Sequence, residues 1–241
     1  MSLHYLAGIA ATTLALSAPA SALTLELDFG SLPSAQGWSF ENNTGLPESA
    51  ISAVNGTTLT YNTIGTGFGG YAFYAVPNVL DLTKSYSLQV TARVLAEEGS
   101  SIGALGFLAT GADWGSGISI GKGIFTSTDA VGAPFVPIDN SVFHSYRMDV
   151  QPDGTYALSV DGTLAQSGAI RTADTLPNLV YFGDVGSGIS ANVEISRLSF
   201  QQPIPEPSTL ALSGLGIALV VLTSRQRRRV NTVTQPPRSN S

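Results

Sequence analysis

Apolar residues recur at every second position through most of the chain, and this alternation constrains the fold more than any other feature. Leu23, Leu25, Leu27 and Phe29 alternate with polar residues, and a second alternating run covers residues 86–94. Successive side chains of a β-strand point to opposite faces, so each run predicts a strand with one buried and one hydrated face. The alternation therefore predicts a β protein.

Turn residues separate the alternating runs as hairpins require. Pro152-Asp153-Gly154 and Asp161-Gly162 each stand between two runs, and Asp-Gly readily adopts the positive φ of tight hairpin turns. In the last run the alternation changes phase near Ser196 and Arg197, which predicts a β-bulge. Strands about every 8 to 12 residues, with no credible helix before Ser208, predict an all-β, antiparallel two-sheet sandwich.

The order of these runs resembles the concanavalin A-like, or laminin G-like, jelly roll. The resemblance rests on residues 86–95, 143–150, 156–162 and 180–184, where a hairpin containing Asp-Gly precedes a late strand ending in Gly-Asp. It spans residues 23–202 and implies a jelly-roll fold rather than a particular function.

The C-terminal end combines three features in a fixed order. Pro205, Glu206 and Pro207 come first, and the prolines keep this segment extended. Residues 208–224 follow, and as a helix at ~1.5 Å per residue they reach about 25 Å, barely enough to span a membrane. A cluster of basic residues then holds this end in the cytoplasm and leaves the preceding chain outside: Arg225, Arg227, Arg228 and Arg229.

This arrangement resembles the PEP-CTERM sorting signal of exopolysaccharide-producing Gram-negative bacteria. The resemblance covers residues 203–229. It implies that an exosortase, a membrane-embedded cysteine transpeptidase, recognises and processes the motif. Residues 230–241 are expected to form a disordered cytoplasmic tail. The alternative is an ordinary membrane anchor that stays uncut, because topology alone does not separate the two.

The N-terminal end predicts export. Leu6 to Leu16 is an apolar stretch, and Ala20 and Ala22 are the small residues of a signal peptidase site. Residues 1–22 are therefore expected to be a signal peptide. Residues 23–202 form the exported domain, which is carried across the inner membrane, held there by its C-terminal helix, and then delivered to the cell surface or matrix.

The composition of the exported domain excludes several partners. Six basic residues stand against 16 acidic ones, which leaves a net charge of about −10. A surface this acidic repels phosphate backbones, so no nucleic acid partner is expected. The chain contains no cysteine, and this excludes disulfides, a thiolate nucleophile and zinc-thiolate sites.

No residue pattern predicts catalysis, and no catalytic residue is assigned. Glu26 and Asp28 come nearest to the paired carboxylates of a glycanase, but a solvated strand face is the preferred interpretation. Glu97 and Glu98 are expected in a turn, because Gly99 follows them. His144 is the only histidine after residue 22, and it is expected on a strand rather than in a triad.

Ligand binding is the other class of function to weigh. Asp113 and Trp114 are expected in a loop at the rim of the sandwich, where an aromatic ring beside a carboxylate suits a sugar, whereas Trp38 is expected in the core. Calcium is compatible with the fold at Asp184 or at Asp139-Asn140, but no motif supports it and no cofactor is assigned.

Three hypotheses therefore remain. The first is an exported, non-enzymatic structural protein of the surface or matrix, linked to exopolysaccharide. The second is a lectin-like, carbohydrate-binding module on an uncleaved anchor, and the third is a divergent glycan-active enzyme.

Overall fold

A computed structural model describes residues 22–203, except residues 67–70, 100–102, 112–114, 129–131, 171–175 and 185–188. The described part contains fifteen strands, which form two antiparallel sheets packed against each other through one hydrophobic core. The prediction of an all-β, antiparallel two-sheet fold is thereby confirmed.

The first sheet, called sheet A, has eight strands, in the order β13-β12-β11-β6-β15-β4-β3, and β1 pairs with the end of β15. The strands are β1 (Ala22–Glu26), β3 (Ser52–Val54), β4 (Leu59–Asn62), β6 (Tyr86–Gly99), β11 (His144–Val150), β12 (Thr155–Val160), β13 (Thr163–Ala169) and β15 (Ile189–Pro203). In the pairing of β1 with β15, Ala22 lies opposite Pro203, so the two ends of the described chain are neighbours.

The second sheet, called sheet B, has seven strands in the order β10-β9-β8-β7-β14-β5-β2. They are β2 (Ser39–Asn42), β5 (Ala72–Pro77), β7 (Leu105–Thr110), β8 (Gly115–Ile120), β9 (Ile124–Thr128), β10 (Val136–Pro137) and β14 (Leu179–Asp184).

The predicted turns and the predicted bulge are present. Asp161 and Gly162 join β12 to β13 with φ values of 49° and 79°, the left-handed conformation that a two-residue hairpin turn of this type needs. The register between β15 and β6 shifts between Ile195 and Arg197. This bulge lets residues on both sides of the phase change turn their apolar side chains to the same core.

Two local predictions are wrong. Glu97 and Glu98 lie within β6 rather than in a turn, because β15 continues far enough to pair with β6 up to Gly99. The segment before Ser208 also contains two short helices, a 3-10 helix at Pro33–Gln36 and an α-helix, α1, at Glu48–Ile51. Each has only four residues, which is too short for an apolar periodicity to appear in the sequence.

Aromatic side chains fill much of the core between the sheets. Trp38 contacts Phe182 edge-on with ring centroids 5.1 Å apart, and Tyr74 stacks on the same ring at 5.0 Å. Farther along, Phe125 of sheet B meets Tyr146 of sheet A at 5.3 Å. All five side chains are buried, so the core is packed by large rings from both sheets.

Tyrosine hydroxyls join the two sheets through the core. Tyr74 of sheet B donates to the Ser52 hydroxyl of sheet A at 2.6 Å, and Tyr61 of sheet A donates to the Ala72 carbonyl of sheet B. Tyr86 forms a similar contact with the Ser116 hydroxyl, and burial raises the pKa of Tyr86 to about 12. Because a buried hydroxyl without a partner is costly, these bonds fix the alignment of the sheets in a chain without disulfides.

Candidate functional site

The strands of sheet B carry almost no charge. None of their residues is Lys or Arg, and their acids are Glu41 in β2 and Asp184 in β14. Asp184 turns into the core, where its carboxylate accepts a hydrogen bond from the Thr63 hydroxyl at 3.2 Å. The outer face of the sheet B strands therefore presents one carboxylate, that of Glu41, and no cation.

Three aromatic side chains lie side by side on this outer face, and we call them the aromatic strip: Tyr71, Phe73 and Tyr181. The ring centroids are 5.7 Å apart between Tyr71 and Phe73, and 5.8 Å apart between Phe73 and Tyr181. Tyr71 is 38% exposed, and the other two rings are half-buried. These spacings are favourable for aromatic pairs, so each ring helps to hold the next in place.

Strand register brings these rings together. Phe73 lies opposite Glu41 on one side and Gly183 on the other. Tyr181 is two residues before Gly183, which makes it a diagonal neighbour of Phe73 on the same face, and it lies opposite Leu108. Diagonal neighbours in a sheet are within reach of aromatic side chains. The strip thus crosses from the start of β5 to the middle of β14.

Two glycines, which have no side chain, make room for Phe73 of the strip and for Leu108 beside it. Gly183 has a φ of 136°, and a Cβ there would lie 2.6 Å from the Ala72 carbonyl oxygen and 2.7 Å from the Phe73 Cα. A Cβ on Gly117 would lie 2.5 Å from the Leu108 Cγ. The missing side chains let Phe73 and Leu108 approach the neighbouring strands closely.

The loop after β2 positions the exposed end of the strip. The backbone N–H of Tyr71 donates to the Asn43 side-chain oxygen at 2.7 Å, and the Asn43 N–H donates to the Tyr71 carbonyl at 3.2 Å. The Asn42 side chain accepts from the N–H groups of Thr44 and Gly45, both at 3.1 Å, which closes a turn. Backbone bonds therefore hold Tyr71 on the face.

The tryptophans differ from the strip in position. Trp38 is 4% exposed and belongs to the core, as expected. Asp113 and Trp114, the predicted ligand-binding pair, lie outside the described residues, so that prediction stands as it was. The sequence does not reveal the aromatic strip, because its rings come from distant parts of the chain.

One local pattern does indicate that Tyr181 faces outward: it lies between Val180 and Phe182, out of phase with these two core residues.

The carboxylates considered for catalysis do not converge. Glu26 is exposed at the end of β1, whereas Asp28 is exposed beyond that strand and accepts a hydrogen bond from the Gly30 N–H at 3.0 Å. Glu97 accepts a hydrogen bond from the backbone N–H of Lys122 at 2.6 Å, so it fastens β6 to the turn after β8. Glu98 is exposed at the end of β6. Each of these acids has a local role or faces water.

The residues considered for calcium have protein partners. The Asn140 side chain is buried and donates to the Gly121 and Ile124 carbonyls, while its oxygen accepts from the Tyr146 hydroxyl. Asp139 accepts from the Ser141 N–H at 3.0 Å, and hydrogen bonds from Ser141 lower the pKa of this carboxyl. Among the described residues, no cluster of three or more His, Cys, Asp or Glu has the geometry of a metal site.

His144 begins β11, as expected for a strand residue. Its Nδ1 lies 2.6 Å from an Asp161 carboxylate oxygen, and its Nε2 lies 3.2 Å from the Asp139 carbonyl. Asp161 also accepts from the Ser145 N–H at 2.9 Å, and this bond, with the His144 contact, lowers the pKa of the Asp161 carboxyl. The group closes the β12–β13 turn onto β11.

The predicted processing sites lie largely beyond the part of the chain that the structure describes. Ala20 precedes it, and Ala22 is the first residue of β1. The sorting residues follow it, namely Pro205, Glu206, Pro207, Arg225, Arg227, Arg228 and Arg229. Within the described ranges, no helix is long and apolar enough to cross a membrane, and the predicted span at residues 208–224 is not among them.

One family model matches the chain. Residues 203–229 match the PEP-CTERM protein-sorting motif, which confirms the motif inferred from the Pro-Glu-Pro segment and the arginine cluster. No curated protein sequence matches the chain.

The chain is similar to several solved structures at low identity. The cellulose induced protein Cip1 has a TM-score of 0.49 at 12% identity, over 73% of this chain and 96% of its own. Trypanosoma rangeli sialidase in a covalent complex has a TM-score of 0.47 at 18% identity. The match covers 64% of this chain but only 27% of the sialidase. The receptor binding domain of botulinum neurotoxin D has a TM-score of 0.45 at 12% identity, and the match covers 75% of this chain and 48% of that domain. At these scores the likeness carries no information about function.

Proposed function

We propose that this chain is an exported surface or matrix protein that an exosortase sorts through its C-terminal signal. The match of residues 203–229 to the PEP-CTERM motif is the observation that carries the proposal. In this scheme signal peptidase cuts after Ala22, the apolar run after Pro207 holds the chain in the inner membrane, and the arginines keep the tail inside. Exosortase then acts on the extended Pro-Glu-Pro segment.

The exported domain is proposed to be a non-enzymatic module of the jelly-roll type. Glycoside hydrolysis ordinarily needs two carboxyl groups placed on either side of the bond to be cut. The outer face of the sheet B strands offers an aromatic strip and the single carboxylate of Glu41 instead. Such a face is suited to holding a ligand rather than cleaving it.

A second candidate function follows from the same strip. In it, the domain is a lectin-like module that binds carbohydrate on an uncleaved membrane anchor. A divergent glycan-active enzyme is the third candidate. New reducing ends on incubation with the host polysaccharide would favour that enzyme over both other candidates.

The sorting proposal is tested with the full chain in a Gram-negative host that has an exosortase and in the same host without it. The intact mass of the exported form is measured in both. We expect everything after roughly Pro207 to be lost only when the exosortase is present. An intact C-terminus in both strains would overturn the proposal and leave a simple membrane-tethered module.

A pair of glutamate variants separates recognition of the motif from any general effect on export. Glu206→Ala changes the Pro-Glu-Pro segment and is expected to abolish processing while the arginines still set the topology. Glu98→Ala changes an exposed glutamate of β6 and is expected to be processed like the unchanged chain. Equal processing of both variants would show that the cut does not depend on the motif.

A further inference from the structure

We infer that the aromatic strip of Tyr71, Phe73 and Tyr181 binds an uncharged polysaccharide. This inference rests on the proposed association with glycans, and it adds a site and a ligand class to that association. In the sequence, only Tyr181 carries a local signal of facing away from the core.

The chemistry of a sugar ring matches the strip. A pyranose has a face of C–H groups that packs on an aromatic ring, and hydroxyls around its edge that need hydrogen-bonding partners. The strip offers three rings, of which Tyr71 is the most exposed, and Glu41 lies beside Phe73 on the neighbouring strand as an acceptor. Apolar contact and a hydrogen bond are thus available together.

The arrangement of the rings favours a chain over a single sugar. The centroids follow one another at 5.7 and 5.8 Å, so neighbouring units of one polymer can each contact a ring. Backbone bonds between Asn43 and Tyr71 hold one end of the strip, and the strand pairing of β5 with β14 holds the other. A preorganised platform loses little conformational entropy on binding.

The charge of the face selects a neutral polymer. The sheet B strands contain no Lys or Arg, and Glu41 is the acid on their outer face. The whole exported domain carries a net charge of about −10. An anionic polysaccharide would meet repulsion and no compensating cation among the strand residues of sheet B, whereas a neutral one meets no such repulsion.

The same charge argues against a second copy of the chain as the occupant. Two domains of about −10 each repel one another. The strip also offers no cation that could pair with the acids of a partner copy. A neutral glycan is therefore the occupant that both the rings and the charge fit.

The test measures how the exported protein migrates in native gels that contain a polysaccharide. The neutral probes are hydroxyethylcellulose, dextran and galactomannan, and the anionic probe is alginate. The variants are Phe73→Ala and Tyr181→Ala on the strip. Phe143→Ala is the matched control, because Phe143 is 37% exposed but packs over Arg93 of sheet A at 4.9 Å. Thermal unfolding confirms that each variant is folded.

The unchanged protein is expected to be retarded by at least one neutral probe and not by alginate. Each strip variant should weaken that binding about tenfold or more, equivalent to ~1.4 kcal/mol, and Phe143→Ala should leave it unchanged. If the folded strip variants are retarded as strongly as the unchanged protein, the aromatic strip is not the binding site, although the domain still associates with glycans. Retardation by alginate alone would overturn the neutral ligand class, and no retardation by any probe would overturn glycan association itself.

Discussion

The outer face of sheet A carries ion pairs, whereas the outer face of the sheet B strands carries no basic residue. On sheet A, Arg93 contacts Glu194 at 2.6 Å, and Arg147 contacts Asp149 at 2.7 Å. On sheet B, the corresponding positions hold aromatic rings, glycines, small side chains, Leu108 and the single acid Glu41. Both sheets cover the same core, so core packing does not account for the difference.

The contrast between the two outer faces is one of charge. Hydration is sufficient for a solvated sheet, and alternating charges such as those of sheet A provide it. Apolar side chains are exposed on sheet A as well, where Leu95 is 40% and Leu164 is 63% exposed. The outer face of sheet B differs in that its aromatic rings contact one another and no strand beside them carries a basic residue, and this is the reason to look for a ligand there.

The largest effect is expected from adding a methyl group at a crowded glycine of sheet B, compared with a less crowded glycine of sheet A. In Gly117→Ala the new Cβ would lie 2.5 Å from the Leu108 Cγ, and we expect a loss of about 1–3 kcal/mol in the free energy of unfolding. Gly168→Ala makes the same change on the edge strand β13, on its core-facing side, where the nearest atom is the Tyr156 Cε1 at 3.3 Å, and it should destabilise the domain less than Gly117→Ala. Urea unfolding measures both, and equal losses would show that the closer contact at Gly117 has no additional cost.

Next in size is the coupling between the rings of the strip. A double-mutant cycle of Phe73→Ala and Tyr181→Ala should give a coupling energy of about 0.5–1.5 kcal/mol, because the rings contact each other. Added salt should leave this coupling unchanged, since neither ring is charged. A coupling indistinguishable from zero would show that the strip is not an energetic unit.

A smaller effect, with the opposite salt response, is expected on sheet A. A cycle of Arg93→Ala and Glu194→Ala should give about 0.2–1 kcal/mol, because both side chains are partly exposed. High salt should reduce this coupling by screening the charges. The same urea titrations at low and high salt provide the measurement. If both cycles respond equally to salt, the two faces are not electrostatically different.

The smallest effect concerns acid. The folded protein holds the pKa of the Asp161 carboxyl below its ordinary value of 3.8. Its contribution to stability is therefore fully present above that value and is lost as the pH falls through the lowered pKa. Asp161→Asn should be less stable than the unchanged protein at neutral pH, and the difference should vanish in strong acid. Urea unfolding across this pH range measures it, and a difference that persists in acid would rule out ionisation as the cause.

The fold class was predictable from the sequence because alternation and turn chemistry are local. Asp161-Gly162 and the phase change near Ser196 each identified a feature that the structure contains. The extent of β6 was not predictable, because Glu97 and Glu98 are held in a strand by the distant β15. The pairing of one element with another overrides the turn preference of the glycine that follows.

The candidate site depends on information that a single strand does not carry. Phe73 and Tyr181 are more than a hundred residues apart in sequence, and only the register of β5 against β14 makes them neighbours. The choice of which face of each strand meets the core also decides whether a ring is buried like Tyr74 or half-exposed like Phe73. The alternation shows that each strand has two faces, but it does not show which residues of different strands become neighbours on the same face of the sheet.

The position of β15 has a mechanical consequence for a protein held at its C-terminus. This strand ends at Pro203 and lies between β6 on one side and β4 and β1 on the other. Tension applied at Pro203 pulls along the strand, so the hydrogen bonds on both sides bear the load together rather than opening one at a time. In the proposed anchored form, the domain is thus attached through a strand that is bonded to neighbours on both of its sides.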